Sequence, residues 1–395
     1  MATLSSEPSF KDVMSQASSI EWDLRSPEVQ SDQLASYDAM RSRCPVAHTP
    51  DDSWVVFRHS DTVRILDDPE TFSNEVSAHL AVPNGFDGSR HAAYRTIIES
   101  YFTAERLAAF EPVARAICAE LIAGLARDCD IEVMSSLGDP FAAWLQCAFM
   151  GWPTSMRTPL AEWVDKNHAA NRSGDRRRMA AVADEFDSFI REQLDARRSM
   201  PGPPDDPTTR LLAESVDGVQ LSDAEIVSII RNWTVGELAT IAAAVGIALN
   251  FLAEHPDIQR RIRSGEWDLD AVTDELQRLG APLIANRRRT TKPVEVGGVK
   301  IPAEEKVIVL WASANRDEAV FGDPDAFEPI ANRRHNLVYG KGLHYCPGAD
   351  LARLELRVLL EELFAATISV EPGTQAPAPA HYPAGGFDTV HIRLR

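Results

Sequence analysis

The chain has 395 residues, 44% of them apolar and 25% charged, and a formal net charge of −19. That charge argues against a nucleic-acid partner, and no charge-free apolar run reaches the length of a membrane span. Five scattered cysteines, Cys44, Cys118, Cys129, Cys147 and Cys346, include no CxxC pair, so neither a disulfide framework nor a zinc site is expected.

The N-terminal stretch MATLSSEPSFKDVMSQASS is polar and lacks the apolar core of a signal peptide. It predicts a flexible segment over 1–19, followed by one cytoplasmic domain over 20–395. WVVF at 54–57 reads as a strand. Apolar residues three and four apart predict helices over 100–126, 180–197 and 348–366. NRSGDRRRM, 171–179, reads as a basic surface loop between helical patterns, and RRSMPGPPDDPTTR, 197–210, as a second surface loop. A longer helix is predicted over 222–254, opened by a capping box of Ser222 and Glu225 and closed by His255–Pro256. VEVGGVKI at 294–301 reads as a hairpin, KVIVLWA at 306–312 as a strand, and TVHIRLR as a last strand. The class is mainly α with a small β region.

One cysteine stands apart. Residues 337–356, LVYGKGLHYCPGADLARLEL, put Cys346 among Gly340, Gly342 and Gly348 at the start of a helix. Glycine allows positive φ and close approach of a flat ligand. The helix presents Leu351, Leu354, Val358 and Leu359 on one face, and its free N–H groups are expected to favour a thiolate. Taken alone, the same pattern also fits a buried structural cysteine beside a tight turn.

The run YGKGLHYCPG resembles the haem-binding signature of the cytochrome P450 family, with Tyr339 in place of the usual phenylalanine. The resemblance implies a single prism of helices with haem b between a long distal helix and the cysteine-loop helix. It implies Cys346 as the axial ligand of the haem iron, His344 as a propionate contact, and Tyr339 packed near the sulfur. Gly340 and Gly348 would leave room for the porphyrin. DELQR resembles the family's E-x-x-R helix, which makes Glu275 and Arg278 a structural ion pair under the haem. HAAYRTIIESYFTAERLA resembles the helix that offers His91 and Arg95 to the propionates, although FDGSR replaces the usual Asp-Pro before it. Arg288 fits a third propionate contact, with Arg287 one position away in register.

In the long helix, TVGELATIAA places Thr240 on the family's oxygen-site threonine. The acid normally before it is Ala239, while Glu237 stands one helical turn earlier on the same face. Glu237 is a candidate for a relocated proton relay. It also fits a substrate contact or a hydrogen-bonded acid bridging helices. Thr240 has a structural alternative in a bond to the carbonyl of Gly236.

Leu80, Val82, Phe86, Ile284 and Phe387 are the expected pocket residues, with Ile284 on APLIAN, 281–286, expected as the strand after the E-x-x-R helix, and they suit a small or medium hydrophobic substrate. The chain shows no flavin or iron–sulfur domain, so electrons would come from an external ferredoxin and its reductase, or a flavodoxin. Arg106, Lys341, Arg353 and Arg357 could form the docking patch. The implied activity is a monooxygenase using O2, by hydroxylation, epoxidation or O-dealkylation. A peroxide-driven enzyme and a non-enzymatic haem sensor or carrier are the alternatives.

Overall fold

The computed structural model describes residues 20–77 and 79–395. The N-terminal segment 1–19 lies outside the described residues.

Eight helices shape the site: α1 Gly88–Glu99, α2 Ala104–Gly124, α3 Asp139–Met150, α4 Arg157–Ser173, α5 Arg176–Ser199, α6 Asp223–Glu254, α7 Leu269–Gly280 and α8 Ala349–Ala366. α6 is the central element. Its N-terminus is closed by the reciprocal capping box, in which the Ser222 hydroxyl accepts from Glu225 N and the Glu225 carboxylate accepts from Ser222 N. Its apolar residues face protein on nearly every side, against α3, α5, α7 and α8. By length and composition this helix could cross a membrane, but 61% of its most apolar window is buried inside the fold, as in a core helix.

A five-stranded sheet stands beside the helices. Its strands are β1 Val46–His48, β2 Ser53–Val56, β3 Phe72–Ser73, β4 Ala285–Thr290 and β5 Lys306–Leu310, in the order β1-β2-β5-β4-β3. β5 is parallel to β2 and antiparallel to β4, and Val307 is opposite both Trp54 and Arg288. Alternate side chains feed separate clusters on the two faces. Val55, Ile308 and Leu310 go to one, and Trp54, Val56, Val307 and Val309 to the other. A further sheet joins Val370–Pro372, His391–Leu394 and Ile131–Glu132, which ties the C-terminal strand to the chain before α3.

The mainly helical class and the long helix agree with the sequence reading, and four local readings need correction. The basic stretch 171–179 is almost entirely helical: α4 ends at Ser173 and α5 begins at Arg176, because the Asp175 carboxylate caps the N–H groups of Arg177 and Arg178. The 197–210 loop is anchored inward, since Arg197 is buried and donates to the Asp206 carboxylate at 2.9 and 3.0 Å. β5 stops at Leu310, and Trp311–Ala314 turns into a short helix whose indole N–H reaches Asn286. The strand after α7 starts at Ala285 and runs through the arginines to Thr290, rather than covering 281–286. Its charged sequence conceals a strand of which alternate residues, Arg288 and Thr290, are buried.

Candidate active site around Cys346

The loop that presents Cys346 is held from three directions. Cys346 N donates to Tyr339 O at 2.9 Å. The Tyr339 hydroxyl accepts from Gln277 of α7 at 2.9 Å, and the Arg353 guanidinium lies 4.5 Å from the Tyr339 ring centroid. Gly342 adopts φ of +71°, and a Cβ there would come within 2.8 Å of Leu66 O. Only glycine lets the loop pass so close to that backbone.

Below the loop, Glu275 and Arg278 of α7 form a doubly hydrogen-bonded pair. Arg278 Nε and Nη2 donate to the two Glu275 oxygens at 2.8 Å each, and the side chains are 0% and 1% exposed. The remaining Arg278 donors go to the carbonyls of Asn315, Pro324 and Ala326. Glu275 Oε1 also accepts from Glu328 N and Asn332 Nδ2. A buried charge pair needs such complete satisfaction to offset its desolvation.

Four groups from three segments converge at the thiol loop: Asp87 and His91 at the start of α1, Arg288 of β4, and His344 of the loop itself. The His91 and His344 rings are 4.3 Å apart at their centroids, and Asp87 reaches His344 Nε2 at 3.2 Å. His91 is 0% exposed, yet neither ring nitrogen has a partner among the described residues. Burial and the charge of Arg95 hold its pKa below the usual range. Burial, His91 and Arg288 push His344 down to about 4. Arg288 is 6% exposed, makes no ion pair among the described residues, and donates only to the adjacent Arg287 carbonyl; burial pulls its pKa down to about 10. Arg95 lies close enough to act on both His91 and Cys346, though its guanidinium pairs with Glu99 at 2.7 Å. Arg288 without an ion pair and His91 without a partner are buried donors in excess of the one nearby acid, Asp87, and a pair of carboxylates would satisfy them.

Opposite the loop, the core helix α6 opens. Ile226–Ile230 and Ile241–Leu249 are buried, but Gly236 is exposed, and Glu237, Ala239 and Thr240 are partly accessible. A Cβ on Gly236 would meet nothing within 4 Å. This opening in the middle of a core helix marks an internal space rather than the outer surface. Glu237 is near enough for its charge to act on Cys346, so the opening faces the thiol. The Thr240 hydroxyl donates to Gly236 O at 2.6 Å. It therefore presents lone pairs, not a proton, to the space.

The sulfur itself departs from the sequence expectation. Burial raises the Cys346 pKa, and the Gly348 N–H at the start of α8 offsets this only in part. The protein alone favours the neutral thiol, so a bound metal cation is the group that would make it a thiolate.

The expected pocket residues do not gather in one place. Leu80 and Val82 are laced to the first half of α6 through Ser228, Arg231 and Asn232, and Val82 is wholly buried. Phe86 lies under the Arg90 guanidinium, 3.6 Å from its centre. Ile284 and Phe387 instead line a cavity of about 250 Å³ with Ile247, Phe251 and Leu279, beyond Thr240 along α6. The four cations suggested for docking are engaged within the chain: Lys341 with Asp67, Arg353 with Asp274, Arg357 with Glu111, and Arg106 over the Tyr101 ring. Any patch they form is largely neutralised.

Glu355 is a buried acid close to Glu237 that the sequence reading did not find. Its one signal was an acid in line with Leu351 and Leu359 on the apolar face of α8, where it is 1% exposed.

A thiol at a helix start, a facing opening in the core helix, and the unpaired Arg288 and unpartnered His91 beside them fit a haem with its two propionates. Comparisons with known proteins agree. The family model described as Cytochrome P450 matches residues 269–383. The cyclomarin C epoxidase CymV of Salinispora arenicola is 31% identical over 329 residues, covering 79% of this chain and 82% of that protein. The erythromycin C-12 hydroxylase of Saccharopolyspora erythraea is 30% identical over 352 residues, 85% of this chain and 88% of that one. Cytochrome P450 CYP109Q5 from Chondromyces apiculatus superposes with a TM-score of 0.85 at 28% identity, covering 95% of this chain and 98% of that chain. The chain belongs to the cytochrome P450 family and is a P450 monooxygenase.

Proposed function

We propose that this protein binds haem b through Cys346 and inserts one oxygen atom of O2 into a small or medium hydrophobic molecule. The juxtaposition of the Cys346 loop with the opening at Gly236–Thr240 carries this reading. His91, Arg288 and His344 would hold the propionates, with Arg95 alongside. Glu275 and Arg278 keep the loop system in place beneath. When bound, haem supplies the activation of O2 that the side chains cannot provide. The residues of α6 do the rest: Thr240 accepts a hydrogen bond in the distal space, and Glu237 holds a proton there.

Hydroxylation or epoxidation is the favoured reaction, supported by the activities for which the relatives are named. Electrons would come from an external ferredoxin and its reductase, or a flavodoxin, in the cytoplasm. Ala239 in the place of the usual acid supports one second reading, a peroxide-driven reaction that needs less proton delivery.

Reduction under carbon monoxide tests the ligand. The wild type is expected to show the absorption typical of thiolate-bound haem, and Cys346→Ser to lose it. A wild type without that band, or a serine variant that keeps it, overturns the assignment. Turnover with a surrogate redox system against turnover with hydrogen peroxide separates the two oxidant sources.

A further inference from the structure

We propose that the cavity between α6, α7 and the C-terminal turn is a second ligand site, separate from the space that faces Cys346, and that it takes a small cationic amphiphile: a compact apolar body with one positive head group. This goes beyond the monooxygenase reading, and loss of the cavity site would leave that reading untouched.

Positions 236, 240, 243, 247, 250 and 254 recur at helical spacing and share one face of α6. That face opens twice. It is accessible at Gly236 and Thr240, closes where Ala243 and Ile247 are buried, and opens again at Asn250 and Glu254. Thr240 and Asn250 are about 15 Å apart along the helix axis. The turn before Phe387 closes the face between them. Gly386, at φ +72°, lies so near α6 that a Cβ would sit 3.2 Å from the Ile247 side chain and 3.4 Å from Ala243 O. A Cβ on Gly385 would overlap Ala281 O. The two glycines thus wedge this turn between α6 and the end of α7. The cavity of about 250 Å³ lies on the far side of that wall from Thr240.

Its lining is graded. Ile247 and Ile284 form a buried floor, 4% and 2% exposed. The half-buried rings of Phe251 and Phe387 flank it. His255 fixes the Phe251 ring by stacking on it, with centroids 4.1 Å apart. At the mouth stand the exposed Asp32 and Glu254 and the half-buried Asn250 amide. Asp32 Oδ1 caps Ala35 N at 3.0 Å, which leaves Oδ2 for a ligand, and Glu254 has no ion pair among the described residues. No lysine, arginine or histidine belongs to the lining. Two carboxylates above an apolar hollow complement a cationic head, and two aromatic rings favour the same charge. Covering the floor and rings releases water and supplies the apolar part of the affinity. The volume holds about eight waters, so it suits one ring system with a short head group rather than a macrocycle.

Benzyltrimethylammonium is the probe, because its quaternary nitrogen has no lone pair with which to ligate haem iron. Calorimetric titration into the haem-loaded protein is expected to show saturable binding with no shift of the Soret band. Phenylacetate, similar in shape but opposite in charge, should bind roughly tenfold more weakly, since the rim carboxylates repel it. Asp32→Asn combined with Glu254→Gln should weaken the cation by roughly twofold to thirtyfold, the worth of two exposed ion pairs; asparagine keeps the cap on Ala35. Asn250→Trp puts an indole into the cavity and should abolish binding, with haem content and carbon monoxide spectrum as in the wild type. The site is overturned by a wild type that shows no saturable binding, by affinity that survives Asn250→Trp, or by phenylacetate binding as tightly as the cation. Unchanged affinity in the double rim variant overturns it independently of whether the indole variant folds. Binding that shifts the Soret band and persists in both variants would put the probe in the space facing Cys346, and overturns it equally.

Discussion

Arg278 meets Glu275 edge to edge through two hydrogen bonds of 2.8 Å, and every other donor of that guanidinium ends on a backbone carbonyl. The pair therefore bonds α7 to the chain at Asn315, Pro324, Ala326 and Glu328, which leads into the Cys346 loop. Removing one partner leaves a buried charge alone. Glu275→Gln is therefore expected to cost about 3–5 kcal/mol, and Arg278→Lys, which keeps the charge but loses the planar fork and leaves buried carbonyls unpaired, about 1–3 kcal/mol. Chemical denaturation of the haem-loaded variants measures the loss. A change below about 1 kcal/mol, the level of an exposed pair, would contradict this role.

Arg288 and Arg287 provide a matched contrast. Arg288 is buried beside His344 and Asp87, and Arg287 is exposed on the other face of β4. Replacing Arg288 by glutamine should weaken haem binding by roughly tenfold to a hundredfold, corresponding to a charge-assisted hydrogen bond of about 1.5–3 kcal/mol. Arg287→Gln should leave it within about twofold, as for a surface substitution of less than about 0.5 kcal/mol. Haem titration into the apoprotein reads both. Equal losses would mean that the alternation of the strand does not choose the contact.

Asp139 sets a pH dependence of stability. Burial pushes its pKa up to about 7, and the charges of Asp165 and Glu132 add to the rise. Its folded-state pKa thus lies above the unfolded value of about 3.9. The stabilising contribution is full below about pH 4 and is lost as the pH rises through about 7, since the folded state holds the proton more tightly. Asp139→Asn cannot ionise, so it should gain on the wild type between about pH 4 and about pH 8. The distance between the folded and unfolded values is worth about 4 kcal/mol at most, and partial contact with solvent brings the expected gain to on the order of 2 kcal/mol. Urea midpoints at the two pH values measure it; a constant difference would refute it.

Much of the fold is local and was legible in the residues. Ser222 and Glu225 capped α6 in the sequence as they do in three dimensions. The 3.6-residue period marked α2, α5 and α8 within a few positions. β4 was misplaced because ANRRRT carries no apolar alternation; its pairing with β5, not its composition, makes it a strand. The basic stretch at 171–179 looked like a loop because its glycine and acid punctuate it, but Asp175 used that acid as a cap and the helix resumed at once.

Within the site the division is the same. The glycine-framed Cys346, the one-turn spacing of Glu275 and Arg278, and the long helix bearing Glu237 and Thr240 could all be read from neighbouring residues, because each is a short-range pattern. Three-dimensional packing was needed to turn Arg288 rather than Arg287 inward, to bring His91, His344 and Asp87 to meet it, and to set Glu355 facing Glu237 across two helices. Packing also reversed the expected direction of the Cys346 pKa. Desolvation and Coulomb interactions depend on which distant groups come together and how far water is excluded, and neither quantity is written in the order of adjacent residues.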